Sequence, residues 1–302
     1  MKIPYADLYI YLIKGIVHPS EETMFGLSFL GNWVEEETCF LFFREPSEGV
    51  VSELLKRRSD LQLLENYHFS YEQWQGAFSE PIKIDRFLIV PPWLDAAQGP
   101  GETKILLDPG LVFGTGLHES TRDSLKALSY VHAGFPVRKV VDLGTGTGVL
   151  ALASALLGAQ RVLAVDLNPL CVQTAKKNVQ WNHLESRIEV KEGRAEDFAG
   201  LQADLMLANI HWDVLKALIE KEGFRRNPWI VLSGLMRSHA RDLESDLARY
   251  GLRIVKAWED EATWYTMLVS GEVSKVGKPK KKNTEYSRQN EKAATAQLTT
   301  DH

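Results

Sequence analysis

The stretch from Val140 to Ala153, VVDLGTGTGVLALA, limits what this chain can fold into more than any other. An apolar run feeds a turn with glycines at 144, 146 and 148, and a second apolar run, Val149 to Leu157, follows at helical length and is ended by Gly158. The order is strand, tight turn, helix. Glycine in such a turn permits positive φ and lets a ligand lie against bare backbone, while the unpaired N–H groups opening the helix attract an anionic group. Asp142 sits where the first strand ends. A second strand, Arg161 to Val165, runs into Asp166, about twenty residues past the first glycine, the usual place for a carboxylate that grips a ribose hydroxyl pair.

The unit therefore binds an adenosine-containing ligand, and the glycine spacing discriminates among such ligands. Dinucleotide sites use G-x-G-x-x-G, which requires glycine or alanine three residues after Gly146, and that residue is Val149. The spacing is G-x-G-x-G, preceded by Asp142. This resembles the loop of class I S-adenosylmethionine methyltransferases, which cradles an amino-acid moiety and accommodates no pyrophosphate. Glycine-rich strand-to-helix turns also occur where only packing is at stake, so the rest of the chain must support the assignment.

At 302 residues, 44% hydrophobic and 25% charged, the chain can bury a sizeable core, and its length suggests two domains. No apolar segment approaches membrane-spanning length, and the start, MKIPYADLYIYL, has neither the apolar core nor the cleavage site of a signal peptide, which predicts a cytoplasmic protein without a membrane partner. Cys39 and Cys171 lie far apart with no metal-type spacing, so no metal is expected and both thiols are expected to be buried or idle. A net charge of −5 argues against a general nucleic-acid binder.

Residues 1–70 are expected to form a small α+β module, either a substrate-docking domain or a stability or dimerisation module. Ala6 to Ile13 alternates as a strand, Thr23 to Leu30 resembles a short helix, and Trp33 to Phe43 is two strands broken by Glu35, Glu36 and Glu37. Val50 to Arg58 carries apolar residues at helical spacing. The order strand, helix, strand, strand, helix suggests a ferredoxin-like unit. Residues 71–103 are expected as a connecting segment: a helical turn around Trp74 and Phe78, a strand from Phe87 to Val90 stopped by Pro91 and Pro92, and a linker from Leu94 to Glu102.

Residues 104–271 are expected to form the ligand-binding domain. Asp108, Pro109, Gly110, Gly114 and Gly116 make an irregular loop able to fold over a cofactor, and Leu125, Leu128 and Val131 mark the helix behind it. Ser120 or Thr121 is placed to cap that helix, with Asp123 as the capping-box partner of Ser120. Beyond the glycine turn, strands and helices alternate as in a doubly wound sheet. Pro169 opens a helix to about Gln180, and Ile188 to Lys191 is the third strand. The GRAE run at Gly193 to Glu196 stands where such folds meet an adenine, although a carboxylate such as Glu196 is more often a solvated turn residue. Ala203 to Ala208 is apolar without alternation, as a buried parallel strand is, and Asn209 ends it where ligands of open α/β sheets sit. Trp229 to Ser233, Leu252 to Glu259 and Trp264 to Val269 are the remaining strands, with an amphipathic helix at Arg237 to Tyr250. Residues 272–302 have almost no large apolar residue and read as a disordered basic tail. Lysines at 275, 278, 280, 281 and 282 suit either contact with ribosomal RNA or a merely solubilising role.

LLDPGLVFGTGLHEST, then DLGTGTGVLALA, VDLNP and LMLANI, with PPW at 91–93 and the WQGAF run before it, together resemble the PrmA family of methyltransferases of bacterial large-subunit ribosomal protein L11. The likeness covers Tyr71 to about Gly271, whereas His211, Trp212 and Asp213 depart from the Leu-Ala-Gly type sequence of many family members. The resemblance implies an α/β, Rossmann-like class I methyltransferase domain with a mostly parallel seven-stranded sheet, S-adenosylmethionine as cofactor, and methylation of lysine side chains and the α-amine of the ribosomal protein. It also implies a cofactor site at Thr121, Gly144, Gly146, Asp166 and Asn209. A lysine nucleophile of free pKa roughly 10.4 must arrive deprotonated, and desolvation beside a sulfonium lowers that value, so no dedicated base is required. His118 and His211 are candidates for one, although a lone histidine near a loop is more often structural. A methyltransferase of the same fold acting on another protein, an RNA or a small molecule, and a non-catalytic cofactor-binding module, are the alternatives.

Overall fold

Alternation along the first strands decides which side of the N-terminal sheet meets what. The computed structural model describes residues 6–75, 80–260 and 263–271; the basic tail and Phe78 lie outside the described residues. Strands β1 (Asp7–Lys14), β2 (Phe29–Glu35), β3 (Thr38–Phe43) and β4 (Gln62–Ser70) form an antiparallel sheet in the order β2-β3-β1-β4. Cys39, Leu41 and Phe43 of β3 pack with Val51 and Leu54 of helix α1 (Glu48–Arg57). Phe40 and Phe42, on the opposite face by the period of two, pack with Leu111, Val112, Leu170 and Cys171 of the larger domain. Both faces are apolar, which is why β3 reads as a run rather than an alternation.

Two expectations for this module need correction. The short helix expected over Thr23 to Leu30 is a 3-10 segment, Pro19–Ser28, interrupted at Gly26 where φ is 70° and ψ −160°. Strand β4 went unrecognised because it is an edge strand with mostly exposed side chains, so no apolar period marks it.

Helix α2 (Tyr71–Gln75) leads to β5 (Ile82–Ile84), β6 (Phe87–Val90) and β7 (Thr103–Leu106), a three-stranded sheet in that order. The stretch read as a linker is the loop between β6 and β7, which pair in parallel. Phe87, Ile89 and Ile105 are fully buried against the helices of the larger domain.

The larger domain follows as α3 (Glu119–Gly134), β8 (Lys139–Leu143), α4 (Val149–Leu156), β9 (Arg161–Asp166), α5 (Pro169–Trp181), β10 (Ile188–Glu192) and α6 (Ala195–Phe198). It continues through β11 (Leu205–Asn209), α7 (Trp212–Glu220), α8 (Glu222–Arg225), β12 (Trp229–Met236), α9 (Arg237–Arg249), β13 (Arg253–Asp260) and β14 (Trp264–Ser270). The seven strands run β10-β9-β8-β11-β12-β14-β13, all parallel except β14, which is antiparallel to both neighbours. This is the expected doubly wound α/β sheet. Val140, Leu205 and Leu207 point into one buried cluster and Val141, Met206 and Ala208 into the other, so the central strands are apolar on both sides. Strand order reverses between β8 and β11, which opens a crevice at their carboxyl ends. Among the described residues no helix is long and apolar enough to cross a membrane.

Candidate functional site

The crevice is shaped first by the glycine turn. Gly144, Gly146 and Gly148 all have positive φ (73°, 55° and 86°), and Gly148 is the left-handed N-cap of α4. Gly144 N and Thr145 N both donate to Val165 O, at 2.9 and 3.0 Å, so the turn is held against the end of β9. Gly146 N donates to Asp166 Oδ2 at 2.9 Å, and Asn168 N donates to Asp166 Oδ1 at 3.0 Å. The carboxylate of β9 is thereby fixed, with a further lone pair on each oxygen for a ligand hydroxyl.

A strap, residues 107–118, closes one side. Thr147 N donates to Phe113 O at 3.0 Å and Thr147 Oγ1 to Gly114 O at 2.7 Å, while a Cβ on Gly146 would stand 2.4 Å from Phe113 O. Fully buried Asn178 of α5 gathers three segments: its Nδ2 donates to Asp108 O and Thr147 O, at 2.8 and 2.9 Å, and its Oδ1 accepts from Asp108 N at 2.8 Å. One turn later, Asn182 makes the same kind of two-way bond with Leu106, at 2.9 and 2.7 Å. Sequence reasoning missed Thr147 and Asn178. The available signal was an asparagine sharing the helix face of Ala175 and Val179, both buried.

Thr121, Gly144, Gly146, Asp166 and Asn209 all line one cavity of about 800 Å³. They come from α3, the turn after β8, and the ends of β9 and β11. Thr121 is 1% exposed, and its Oγ1 is a buried hydroxyl without a hydrogen-bond partner among the described residues. The helix cap expected at Ser120 or Thr121 is instead His118, whose Nδ1 accepts from Ser120 N at 3.2 Å, because α3 starts at Glu119. Asp123 pairs with Lys126 at 2.7 Å rather than closing a capping box. With Nδ1 occupied as an acceptor, neutral His118 carries its proton on Nε2 and has no lone pair free there, and burial further lowers its pKa. It is a poor general base. His211 lies at the cavity mouth, exposed, with Nδ1 3.5 Å from Asp213 Oδ2, and Trp212 stacks on His239 at 4.9 Å.

Among the described residues, the charged side chains lining this cavity are Glu35, Asp166 and Glu196 against Arg194, and Glu196 accepts from Arg194 at 3.0 Å. Three carboxylates facing one guanidinium favour a cationic ligand and oppose a pyrophosphate. Behind the turn, Asp142 is fully buried and accepts from Thr145 Oγ1 at 2.6 Å. Its Oδ1 has no hydrogen-bond partner among the described residues. Burial, with the Asp166 charge adding, pushes its pKa up to about 7. Asp166 is also raised by burial, against the pull of its backbone donors. Cys171 lines the cavity, yet burial and the neighbouring Asp166 raise its thiol pKa far above the ordinary range, as burial raises that of Cys39, so neither is a nucleophile.

A second cavity, about 630 Å³, adjoins the first and shares Trp33, Glu35, Phe113 and Gly114 with it. Aromatic side chains of β2, β3 and α2 form its wall.

A sheet of this order, a glycine turn after its first strand and a carboxylate ending the second define the class I methyltransferase fold. The sequence profile of the family described as ribosomal protein L11 methyltransferase (PrmA) matches residues 44–271. The chain is 36% identical over 224 residues to the ribosomal protein L11 methyltransferase of Desulfitobacterium hafniense, covering 72% of this chain and 70% of that protein. It is 34% identical over 217 residues to the protein of the same name from Carboxydothermus hydrogenoformans, covering 68% and 70%. The crystal structure of ribosomal protein L11 methylase from Lactobacillus delbrueckii subsp. bulgaricus superposes with a TM-score of 0.57 at 28% identity, over 64% of this chain and 98% of that one. The chain belongs to the PrmA family of ribosomal protein L11 methyltransferases.

Proposed function

We propose that the protein transfers methyl groups from S-adenosylmethionine to amino groups of large-subunit ribosomal protein L11, at lysine side chains and the α-amine. The observation that carries this reading is the convergence of Thr121, Gly144, Gly146, Asp166 and Asn209 on one cavity whose lining charge favours a cation. Asp166, already oriented by two backbone donors, offers acceptors to a ribose diol. The turn at Gly144 and Gly146 leaves bare backbone for the methionine portion, and the unpartnered Thr121 hydroxyl gains a partner from the same ligand. Asn209, ending β11 at the switch point, offers its amide at the reactive end. When bound, S-adenosylmethionine supplies an already activated methyl group on a sulfonium. What remains for this chain is to position the acceptor, exclude water and disfavour the charged amine by desolvation.

Residues 1–70 then serve as the docking module for the protein substrate, and residues 104–271 as the catalytic domain. The reaction belongs in the cytoplasm, where the ribosomal substrate is made. The test is transfer of labelled methyl from S-adenosylmethionine to purified ribosomal components, with mass spectrometry of the labelled band and calorimetry of cofactor binding. Methylated amines on L11 support the proposal. Label on RNA, or cofactor binding without any transfer, overturns it.

A further inference from the structure

The second cavity combines an aromatic wall with carboxylate side chains. On β2 and β3, Trp33 and Phe40 are cross-strand partners on the face turned away from α1. Phe42 follows on the same face, and Trp74 of α2 meets it edge-on at 5.5 Å and Phe69 at 5.9 Å. The opposite wall is the strap and the start of α3. The charged residues lining the cleft are Glu35 and Glu119, and no lysine or arginine is among the described lining residues. Glu35 also opens the acidic turn Glu35-Glu36-Glu37. Aromatic faces attract ammonium groups within about 6 Å of a ring centroid, and unpaired carboxylates around a low-dielectric wall concentrate cations.

From this we infer that the cleft between the N-terminal sheet and the strap receives a basic, lysine-bearing segment of the acceptor protein, and delivers its amine past Phe113 and Gly114 to the donor cavity. The inference rests on the proposed function and adds which face of the N-terminal module meets the substrate. Two features single out this occupant. The cleft shares Trp33, Glu35, Phe113 and Gly114 with the donor cavity, so a segment lying in it borders that cavity. Its charge disfavours an acidic or nucleic-acid occupant, whose phosphates would face two carboxylates with no lysine or arginine among the described lining residues.

The test uses the full-length protein with ribosomal protein L11 as acceptor and three variants, Glu119→Gln, Trp74→Leu and the pair combined. These side chains line the cleft and not the donor cavity. Expected is a KM for L11 raised at least threefold by Glu119→Gln and at least tenfold by the pair, with the calorimetric Kd for S-adenosylmethionine within twofold of wild type. The Glu119→Gln effect shrinks as salt is added, because it is a loss of charge attraction. Trp74 packs on Phe42 and Phe69, so its removal risks the fold, whereas Glu119 is half-exposed at a helix start and its amide isostere keeps the shape. A KM within twofold of wild type for Glu119→Gln and the folded pair overturns the inference. Should wild type fail to methylate L11 while binding the cofactor, it is the proposed function that fails.

Discussion

The two adjoining cavities share four residues and are built from different materials. The donor cavity is organised by local backbone: Gly144 and Gly146 with positive φ, a turn bonded to Val165, and a carboxylate tied down by amides. The aromatic cleft is made of side chains from β2, β3, α2 and the strap, which are far apart in the chain. A site made of local backbone geometry tolerates few residues at few positions, so it is sensitive to one methyl group. One made of packed rings depends on sums of contacts and loses function by degrees.

That contrast can be broken most sharply at Gly146. The Gly146→Ala change places a methyl against Phe113 O and asks an L residue to hold φ near 55°, so methyl transfer should fall by more than about 100-fold, since misplacement near 1 Å costs about that much. A variant that keeps wild-type kcat/KM would show that the turn does not hold the donor. Next in size, Asp166→Ala should weaken S-adenosylmethionine binding about 30-fold by calorimetry, the loss of about 2 kcal/mol of hydrogen bonding to a charged group. Its KM for L11 should stay near wild type, the reverse of the pattern expected of the cleft variants. Asn178→Ala should cost about 2–4 kcal/mol of stability in urea unfolding, because it strands buried groups of Asp108 and Thr147. Should the protein lose less than about 1 kcal/mol, the strap is held by something else.

A further effect concerns pH. Asp142 has a folded pKa raised from 3.8 to about 7, so its neutral form is favoured by folding. The stability this contributes is complete below the unfolded value and is lost as pH rises through about 7. Asp142→Asn should therefore flatten the stability profile between those limits, measured as the urea midpoint against pH. Identical profiles for variant and wild type would mean that burial of Asp142 is compensated in the native state.

Much of the catalytic domain was legible because each signal was local. The G-x-G-x-G spacing, the carboxylate ending β9 and the asparagine ending β11 each depend on neighbours within a few residues, and the structure brings all of them to one cavity. Where partners are distant in the chain, legibility failed. Nothing near Thr147 in sequence announces that its hydroxyl serves Gly114 O, and nothing near Trp33 announces Trp74. Strand β4 was missed for a related reason: with little of its surface buried, no pattern of burial had to be written into it. The cap of α3 was misplaced because an imidazole took the task usual for Ser or Thr.

The carboxamide at position 178 has a consequence for how the molecule moves. Because one planar group holds the strap, the glycine loop and a helix together, that wall has few ways to loosen in parts. Ligand exchange is therefore expected to proceed from the side of the N-terminal sheet, by the two domains parting along their shared apolar seam. The rate of product release would then follow the strength of that seam, and substitutions at Leu170, which belongs to the seam and lines neither cavity, would tune turnover.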